Sequence, residues 1–424
     1  MSLPGVIAVD VGGTKIRAGS VIGGVLGHVR TVPTPASAGA QAILDTITEA
    51  AASVIAEAEA GRGAEDGSDR GLEDGSDRGG GRSGFSPEAA ADRDAGPGAS
   101  VSEWRIGVGA AGVIDPVAGT VVSATDSLAG WAGTRLVDEL EARTRLRVRA
   151  VNDVHAHALG EAAAGASREA DSSLLVAAGT GIGGGIIWDG RLVTGRNFAA
   201  GHIGHLPSPA AVGLPCPCGG TGHVEAIASG PAILATYRRL LAREQPSAED
   251  ATAPPPDTTS VPGTTAVPGS AIAPGPAGTS VPSPGPTAVP GPTAVQGPAT
   301  TRDLAAAASA GDPLAKRAFE IGARALGAAL GGIANVLSPE VIVIGGGLAE
   351  ADEAWWAPLR EAFAAELIPA TGGTPLRKAE LGQDAALLGA AGLWTAEADP
   401  RNRQNHANQV TGKNHETCQK EETH

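Results

Sequence analysis

No basic stripe runs along this chain, no long apolar run interrupts it, and cysteine and aromatic residues are scarce. The 46 acidic residues outnumber the 31 basic ones, for a net charge of −15. A nucleic-acid partner would call for clustered Lys and Arg to replace phosphate counterions, so none is expected. The acidity reads instead as solubility in the cytosol. No stretch of 18 apolar residues occurs, so no spanning helix and no membrane partner are expected. The N-terminus lacks the charged-then-apolar pattern of a secretory leader, which points to a cytoplasmic location. Three cysteines, two of them spaced Cys-x-Cys, do not make a disulfide framework. Aromatic residues are only 3% of the chain, while Ala and Gly abound. That composition suits an alanine-rich proteome and carries no functional signal.

What is there divides into core and insertion. Residues 61–100 contain EDGSDR twice, eight residues apart, and 245–302 are almost wholly Pro, Gly, Thr, Ala, Ser and Val. Neither composition can bury enough apolar surface to offset chain entropy, so both are expected to be disordered insertions. The polar, aperiodic residues 399–424 read as a loose tail. The remaining core is expected to form an N-terminal lobe over 1–125 and a C-terminal lobe over 126–398.

Within the core, VIAVDV, IRAGSVI and VLGHVRTV (residues 6–32) predict three strands, with turns at Gly12-Gly13 and Gly23-Gly24. Ile43, Leu44, Ile47, Val54, Ile55 and Ala58 recur at helical spacing. WRIGVGAAGVI predicts one buried strand, TRLVDELEART a helix and VRAVND a strand. From residue 172 the strand–turn–strand pattern starts again, with Asp189-Gly190 as a hairpin turn. A long helix over 311–339 has Asp312 as its N-cap and Pro313 at its first position. EVIVIGGG is a strand ending in glycines, and a last helix covers 384–397. The doubling predicts an α/β fold of two lobes with a ligand cleft between them.

Three glycine-rich turns follow strands: DVGGTK at 10–15, GTGIGGG at 179–185 and VIGGG at 343–347. Glycine lets backbone N–H groups approach phosphate oxygens, and Thr14 and Lys15 add donors. There is no P-loop pattern, and a strand rather than a helix follows the first turn, which argues against a dinucleotide fingerprint. Asp153 stands where a strand gives way to a helix. It either accepts the proton of an alcohol attacking a γ-phosphate or simply caps the helix VHAHALGEAAA. His155 and His157 face different sides of that helix and make no metal pair. His205, Cys216, Cys218 and His223 follow the spacing H-x10-C-x-C-x4-H. Four such ligands satisfy a tetrahedral zinc ion with no open position, a structural centre; the alternative is a reduced cysteine pair in a loop.

Together these residues resemble the ROK family of sugar kinases and sugar-responsive repressors, over essentially the whole core. The resemblance implies the actin-like ATPase (ribonuclease H-like) fold and an ATP-dependent kinase acting on the 6-hydroxyl of a hexose or hexosamine. It implies a homodimer, with Mg²⁺ accompanying ATP and a structural Zn²⁺. The family's D-x-G-G-T motif falls on Asp10, Gly12, Gly13, Thr14 and Lys15, with Asp10 near the Mg²⁺. Its phosphate motif falls on Gly179, Thr180, Gly181 and Gly183, its adenosine-side glycines on Gly345 and Gly346, and its catalytic Asn-Asp on Asn152 and Asp153. Asn152, His202, His205 and Glu225 are implied to orient the sugar.

Three positions depart from the family pattern. His223 stands for a third cysteine, His202 for a sugar-contacting glutamate, and Ser127 for a sugar-contacting asparagine. AGHIGH, VEAIASG and VPTPAS are similar to bacterial N-acetylmannosamine kinases, which makes N-acetylmannosamine the expected acceptor and glucose the alternative. A sugar-responsive regulator is the remote alternative. Such regulators carry an N-terminal helix-turn-helix, which is not expected in a chain that opens five residues before its first strand.

Overall fold

The protein is described here by a computed structural model covering residues 5–68, 103–125, 127–244 and 297–394, with backbone alone over 61–68. Two five-stranded sheets repeat one topology. In the first, β1 (Gly5–Val11), β2 (Lys15–Ile22) and β3 (Val25–Pro33) form an antiparallel meander. Strands β4 (Trp104–Ala110) and β7 (Arg147–Asn152) add in parallel, for the order β3-β2-β1-β4-β7. In the second, β8 (Ser173–Ala178), β9 (Ile182–Trp188) and β10 (Arg191–Val193) form the meander. Strands β11 (Val341–Gly345) and β12 (Leu376–Lys378) complete the order β10-β9-β8-β11-β12. This duplicated α/β plan is the expected actin-like one.

Burial explains the assignments. β1 and β11 lie centrally and read as continuous apolar runs, whereas β3 is an edge strand with mostly exposed side chains. Helix α1 (Ala40–Ser68) buries Ile43, Leu44, Ile47, Val54 and Ala58 against the first sheet. Helix α7 (Pro313–Leu337) starts as expected: Asp312 Oδ1 accepts from the amides of Leu314 and Ala315, at 2.8 and 3.1 Å.

Two helices fill the space between the sheets. Helix α3 (Asp153–Ala164) continues directly from β7, and α9 (Asp384–Gly392) crosses it and lies on β1 and β4. Their crossing needs glycine. A Cβ on Gly389 would sit 1.7 Å from the Ala156 carbonyl oxygen, and one on Gly160 would sit 2.0 Å from that of Ala385. Among the described residues, no helix is long and apolar enough to cross a membrane.

Four expectations need correction. The apolar run 104–114 is not one strand. The chain turns at Gly112, with φ of +107°, and Val113–Asp115 (β5) pairs with Thr120–Ser123 (β6). The expected 245–302 insertion takes in the start of a helix: Thr300 forms a capping box with Asp303 and opens α6 (Thr301–Ser309). Helix α1 likewise runs on past residue 60 to Ser68. The final helix ends at Gly392, because the amides of Leu393 and Trp394 bond three residues back and tighten the last turn. The rest of both insertions, residues 395–397 and the tail 399–424 lie outside the described residues.

Candidate functional site

The chain enters α3 through Asn152. Its Oδ1 accepts from the amides of Val154 and His155, at 2.9 and 3.2 Å, while its Nδ2 donates to the Gly112 carbonyl and to Asp153 Oδ1, both at 2.8 Å. Asn152 is therefore the N-cap, and its carboxamide is fully engaged within the protein. Both its amide hydrogens and its carbonyl oxygen have partners within the protein. Asp153 Oδ1 also accepts from the Val154 amide at 2.9 Å. Burial raises the Asp153 carboxyl above its ordinary range, against the lowering effect of that amide.

Asp10 lies at the end of β1, directly across from Arg17 of β2. Burial first, and the neighbouring Asp153 second, push its carboxyl up to about 6. The turn beyond it is closed by Gly12 N donating to Lys15 O and by Thr34 Oγ1 donating to the Gly12 carbonyl, at 3.0 and 2.7 Å. Thr14 is exposed and Gly13 lies against Ser127. Lys15 Nζ, expected to serve a phosphate, donates to Gln383 Oε1 at 2.7 Å, and Arg17 pairs with Asp384 at 2.7 Å.

The second glycine turn reaches the other side of α3. A Cβ on Gly183 would lie 3.0 Å from the Val154 side chain. A Cβ on Gly179 would lie 3.7 Å from Gly347 N, so the turns after β8 and β11 are neighbours, while Thr180 is exposed. Gly346 needs its glycine: its φ is +84°, and a Cβ would meet the Ala178 carbonyl at 2.4 Å. The turns that follow β8 and β11 thus adjoin, Gly183 of β9 packs on Val154, the residue after Asp153, and Asp10 is within electrostatic reach of Asp153.

The loop 199–225 carries the remaining residues. His155 Nε2 donates to the Ala200 carbonyl at 2.8 Å and ties the loop to α3. His202 Nδ1 faces the Ala199 carbonyl at 3.0 Å. A carbonyl only accepts, so Nδ1 carries the proton and Nε2 is left as an acceptor. Burial lowers the His202 pKa, which keeps the ring neutral at pH 7, and Asp153 and Glu225 are both within electrostatic reach of it. Glu225 opens the short helix α4 (Glu225–Ala228), is 9% exposed, and accepts from the Ile182 amide at 2.7 Å.

One ligand atom each from His205, Cys216, Cys218 and His223 lies within 4.8 Å of all the others. Cys216 Sγ is 3.7 Å from His205 Nδ1, and Cys218 Sγ is 3.3 Å from His223 Nδ1. Tetrahedral zinc ligands at ordinary bond lengths stand roughly 3.3–3.8 Å apart, so this donor set fits zinc. Burial, and Cys218 beside it, push the Cys216 thiol up to about 11. Bridges pair Pro207 with His223 and Pro215 with Thr221, and bring the four ligands together.

Sequence reasoning missed Gln383, Asp384 and Glu161. Fully buried Glu161, on α3, accepts from the amides of Ala166, Glu380 and Leu381 and holds the chain leading into α9. Only its place in a helix otherwise lined with small residues could have flagged it.

The sequence model of the ROK family matches residues 97–397. A glucokinase of Halalkalibacterium halodurans is 34% identical over 292 residues, which is 68% of this chain and 74% of that protein. An N-acetylmannosamine kinase of Citrobacter koseri is 41% identical over 139 residues, 32% of this chain and 47% of that one. A solved ROK glucokinase of Streptomyces griseus, in complex with glucose and AMPPNP, superposes with a TM-score of 0.60 at 27% identity, over 92% of this chain and 98% of that one.

Proposed function

The chain belongs to the ROK family and is an ATP-dependent sugar kinase, and within that activity we propose that it phosphorylates the 6-hydroxyl of N-acetylmannosamine. Asp153 accepts the hydroxyl proton as the sugar oxygen attacks the γ-phosphorus and ADP departs. A buried carboxylate with a raised pKa is a better base than an exposed one, and Asn152 fixes its orientation. The amides of the glycine turns at 12–14, 179–183 and 345–347 receive the nucleotide. Mg²⁺ arrives with ATP, and Asp10 is the carboxylate placed to meet it. Zinc held by His205, Cys216, Cys218 and His223 would have no open position, so it cross-links the loop that carries His202, His205 and Glu225.

One observation carries the choice of sugar. His202 presents a single acceptor, Nε2, where ROK glucokinases usually carry a glutamate with two acceptor oxygens. A carboxylate suits two neighbouring hydroxyls. A lone acceptor suits a sugar in which an acetamido group replaces one of them. Glucose is the second reading, supported by the longer match to a glucokinase.

The test is ATP-dependent phosphorylation of N-acetylmannosamine, glucose, mannose and N-acetylglucosamine by the purified protein, with the phosphate position read by NMR. The expected result is the highest kcat/KM for N-acetylmannosamine and phosphate on O6. A tenfold preference for glucose would replace the acceptor and leave the kinase standing.

A further inference from the structure

The segment after the metal ligands braces the second glycine turn at both ends. Gly179 O accepts from Gly230 N at 2.8 Å, and Ile182 N donates to Glu225 Oε2 at 2.7 Å. Between those two bonds the turn folds on itself, with Gly179 N donating to Gly181 O at 2.9 Å. Glu225 and Gly230 belong to one stretch, α4 and the start of α5 (Gly230–Glu244). The fit is close: a Cβ on Gly181 would lie 2.8 Å from Glu225 Oε2.

The same stretch is tied to the metal centre. Glu225 follows His223 by two residues, Pro207 bridges to His223, and Val224 N donates to the carbonyl of Leu206, the residue after His205. A continuous run of backbone bonds therefore leads from two metal ligands to the carboxylate that holds Ile182.

We infer that Glu225 is a positioning residue for the nucleotide: its carboxylate holds the 179–183 turn in the shape that receives the phosphates, in addition to any contact with the sugar. The inference rests on the reading of 179–183 as the phosphate turn. A buried amide that loses its acceptor is left unsatisfied, so the turn would rearrange to find water or another partner. The amides at 180–183 aimed at phosphate oxygens would move with it. One Glu225 oxygen is committed to Ile182, so the two roles divide between the two oxygens. Glutamine keeps an acceptor of the same reach. Aspartate keeps the charge and loses the reach.

The experiment measures binding of MgAMPPNP and of adenosine to the full-length protein by calorimetry, without sugar. Glu225→Ala and Glu225→Asp are expected to weaken MgAMPPNP by about tenfold, the equivalent of one lost buried hydrogen bond. Glu225→Gln should stay within about threefold of wild type. Adenosine, which has no phosphates to place, should bind all four proteins alike. If Glu225→Ala does not fold, the Asp and Gln variants decide. Unchanged MgAMPPNP binding in Glu225→Asp, or equal losses in Asp and Gln, overturns the inference and confines Glu225 to the sugar. A Gly179→Ala control separates the two levels, because its methyl group would stand between the two glycine turns, 3.7 Å from Gly347 N, without clashing with the protein. If it binds MgAMPPNP like wild type and Glu225→Asp does too, the phosphate reading of the turn fails and the inference falls with it. If Gly179→Ala weakens binding and Glu225→Asp does not, the inference alone fails.

Discussion

Asn152 donates to Asp153 Oδ1 at 2.8 Å while its own Oδ1 caps helix α3, so the cap and the buried carboxylate fall to adjacent residues. Had Asp153 been the cap, its carboxylate would have been held by the N-terminal amides of the helix. Asn152 takes the larger part of that duty, and Asp153 is left buried with a raised pKa.

Asp153→Asn should therefore separate stability from activity. The amide keeps an oxygen for Asn152 Nδ2 and the Val154 amide but cannot accept the sugar's proton. Turnover should fall by roughly 10²–10⁴-fold, while sugar binding persists. The sign of the stability change follows from linkage. A carboxyl with a raised folded pKa binds its proton more tightly folded than unfolded, so it destabilises the protein progressively as pH rises from the unfolded value. Removing that carboxyl should raise Tm by a few degrees above pH 7, with no gain near pH 3. Thermal unfolding of both proteins from about pH 3 to 8 checks this. A lower Tm at pH 8 would mean that the carboxylate is a structural anchor.

The acid limb of activity should sit high for a carboxylate enzyme. Asp10 is held near 6 by burial and by Asp153, and the two titrate as a pair. Because the working forms are deprotonated, kcat/KM should fall as pH drops, with a midpoint nearer 6 than 4. In Asp10→Asn the residual activity should show a limb shifted to lower pH, since a neutral neighbour no longer opposes ionisation of Asp153. An unshifted limb would remove Asp10 from the pair.

Asn152→Ala should cost about 1–2 kcal/mol of stability through the lost cap and lower kcat through a misplaced Asp153. The sugar Kd should change less than threefold, because the Asn152 amide is already occupied. A large loss of sugar affinity with kcat preserved would instead support the direct sugar contact expected from the family pattern.

What could be read from the sequence was local. The meander strands, the Asp312 cap and the cluster of four candidate metal ligands depend on spacings within about 20 residues, where period and residue type carry the information. The role of Asn152 was not legible, since Asn and Asp cap helices equally well and the pair sits at a strand–helix junction. Lys15 with Gln383, Arg17 with Asp384, and Glu161 with the amides of Glu380 and Leu381 join residues more than 200 positions apart. Such pairs leave no periodic trace. Gly112 broke a run that looked continuous, because a single glycine inside an apolar strand pattern serves a turn as readily as a strand.

Elemental analysis should find one zinc per chain, and Cys216→Ser should lower metal content, Tm and sugar affinity together. The thiol of Cys216 sits above its usual range without a cation, so a bound metal must displace its proton, and loading should weaken as pH falls. His223→Cys, which restores the family's usual ligand, should load zinc at least as well as wild type. Full sugar affinity in a chelated, metal-free preparation would show that the loop holds its shape through the Pro207–His223 and Pro215–Thr221 bridges alone.

The last prediction concerns His202. With Nδ1 committed to the Ala199 carbonyl, only Nε2 is free to meet a sugar, and a neutral ring offers it as an acceptor. Glutamate at this position would bring a second acceptor and a negative charge near Asp153 and Glu225. The second acceptor favours two neighbouring hydroxyls, as in glucose. The charge would raise the Asp153 pKa further. His202→Glu should therefore narrow the ratio of kcat/KM for N-acetylmannosamine over glucose by about ten- to a hundredfold, the worth of one or two redirected hydrogen bonds at about 1–1.5 kcal/mol each. The acid limb should move to higher pH in the same variant. His202→Gln, which adds no charge, should change selectivity without moving the limb. A selectivity ratio unchanged in both variants would take His202 out of sugar recognition and leave the acceptor to be chosen elsewhere, with Ser127 against Gly13 as the next side chain to replace.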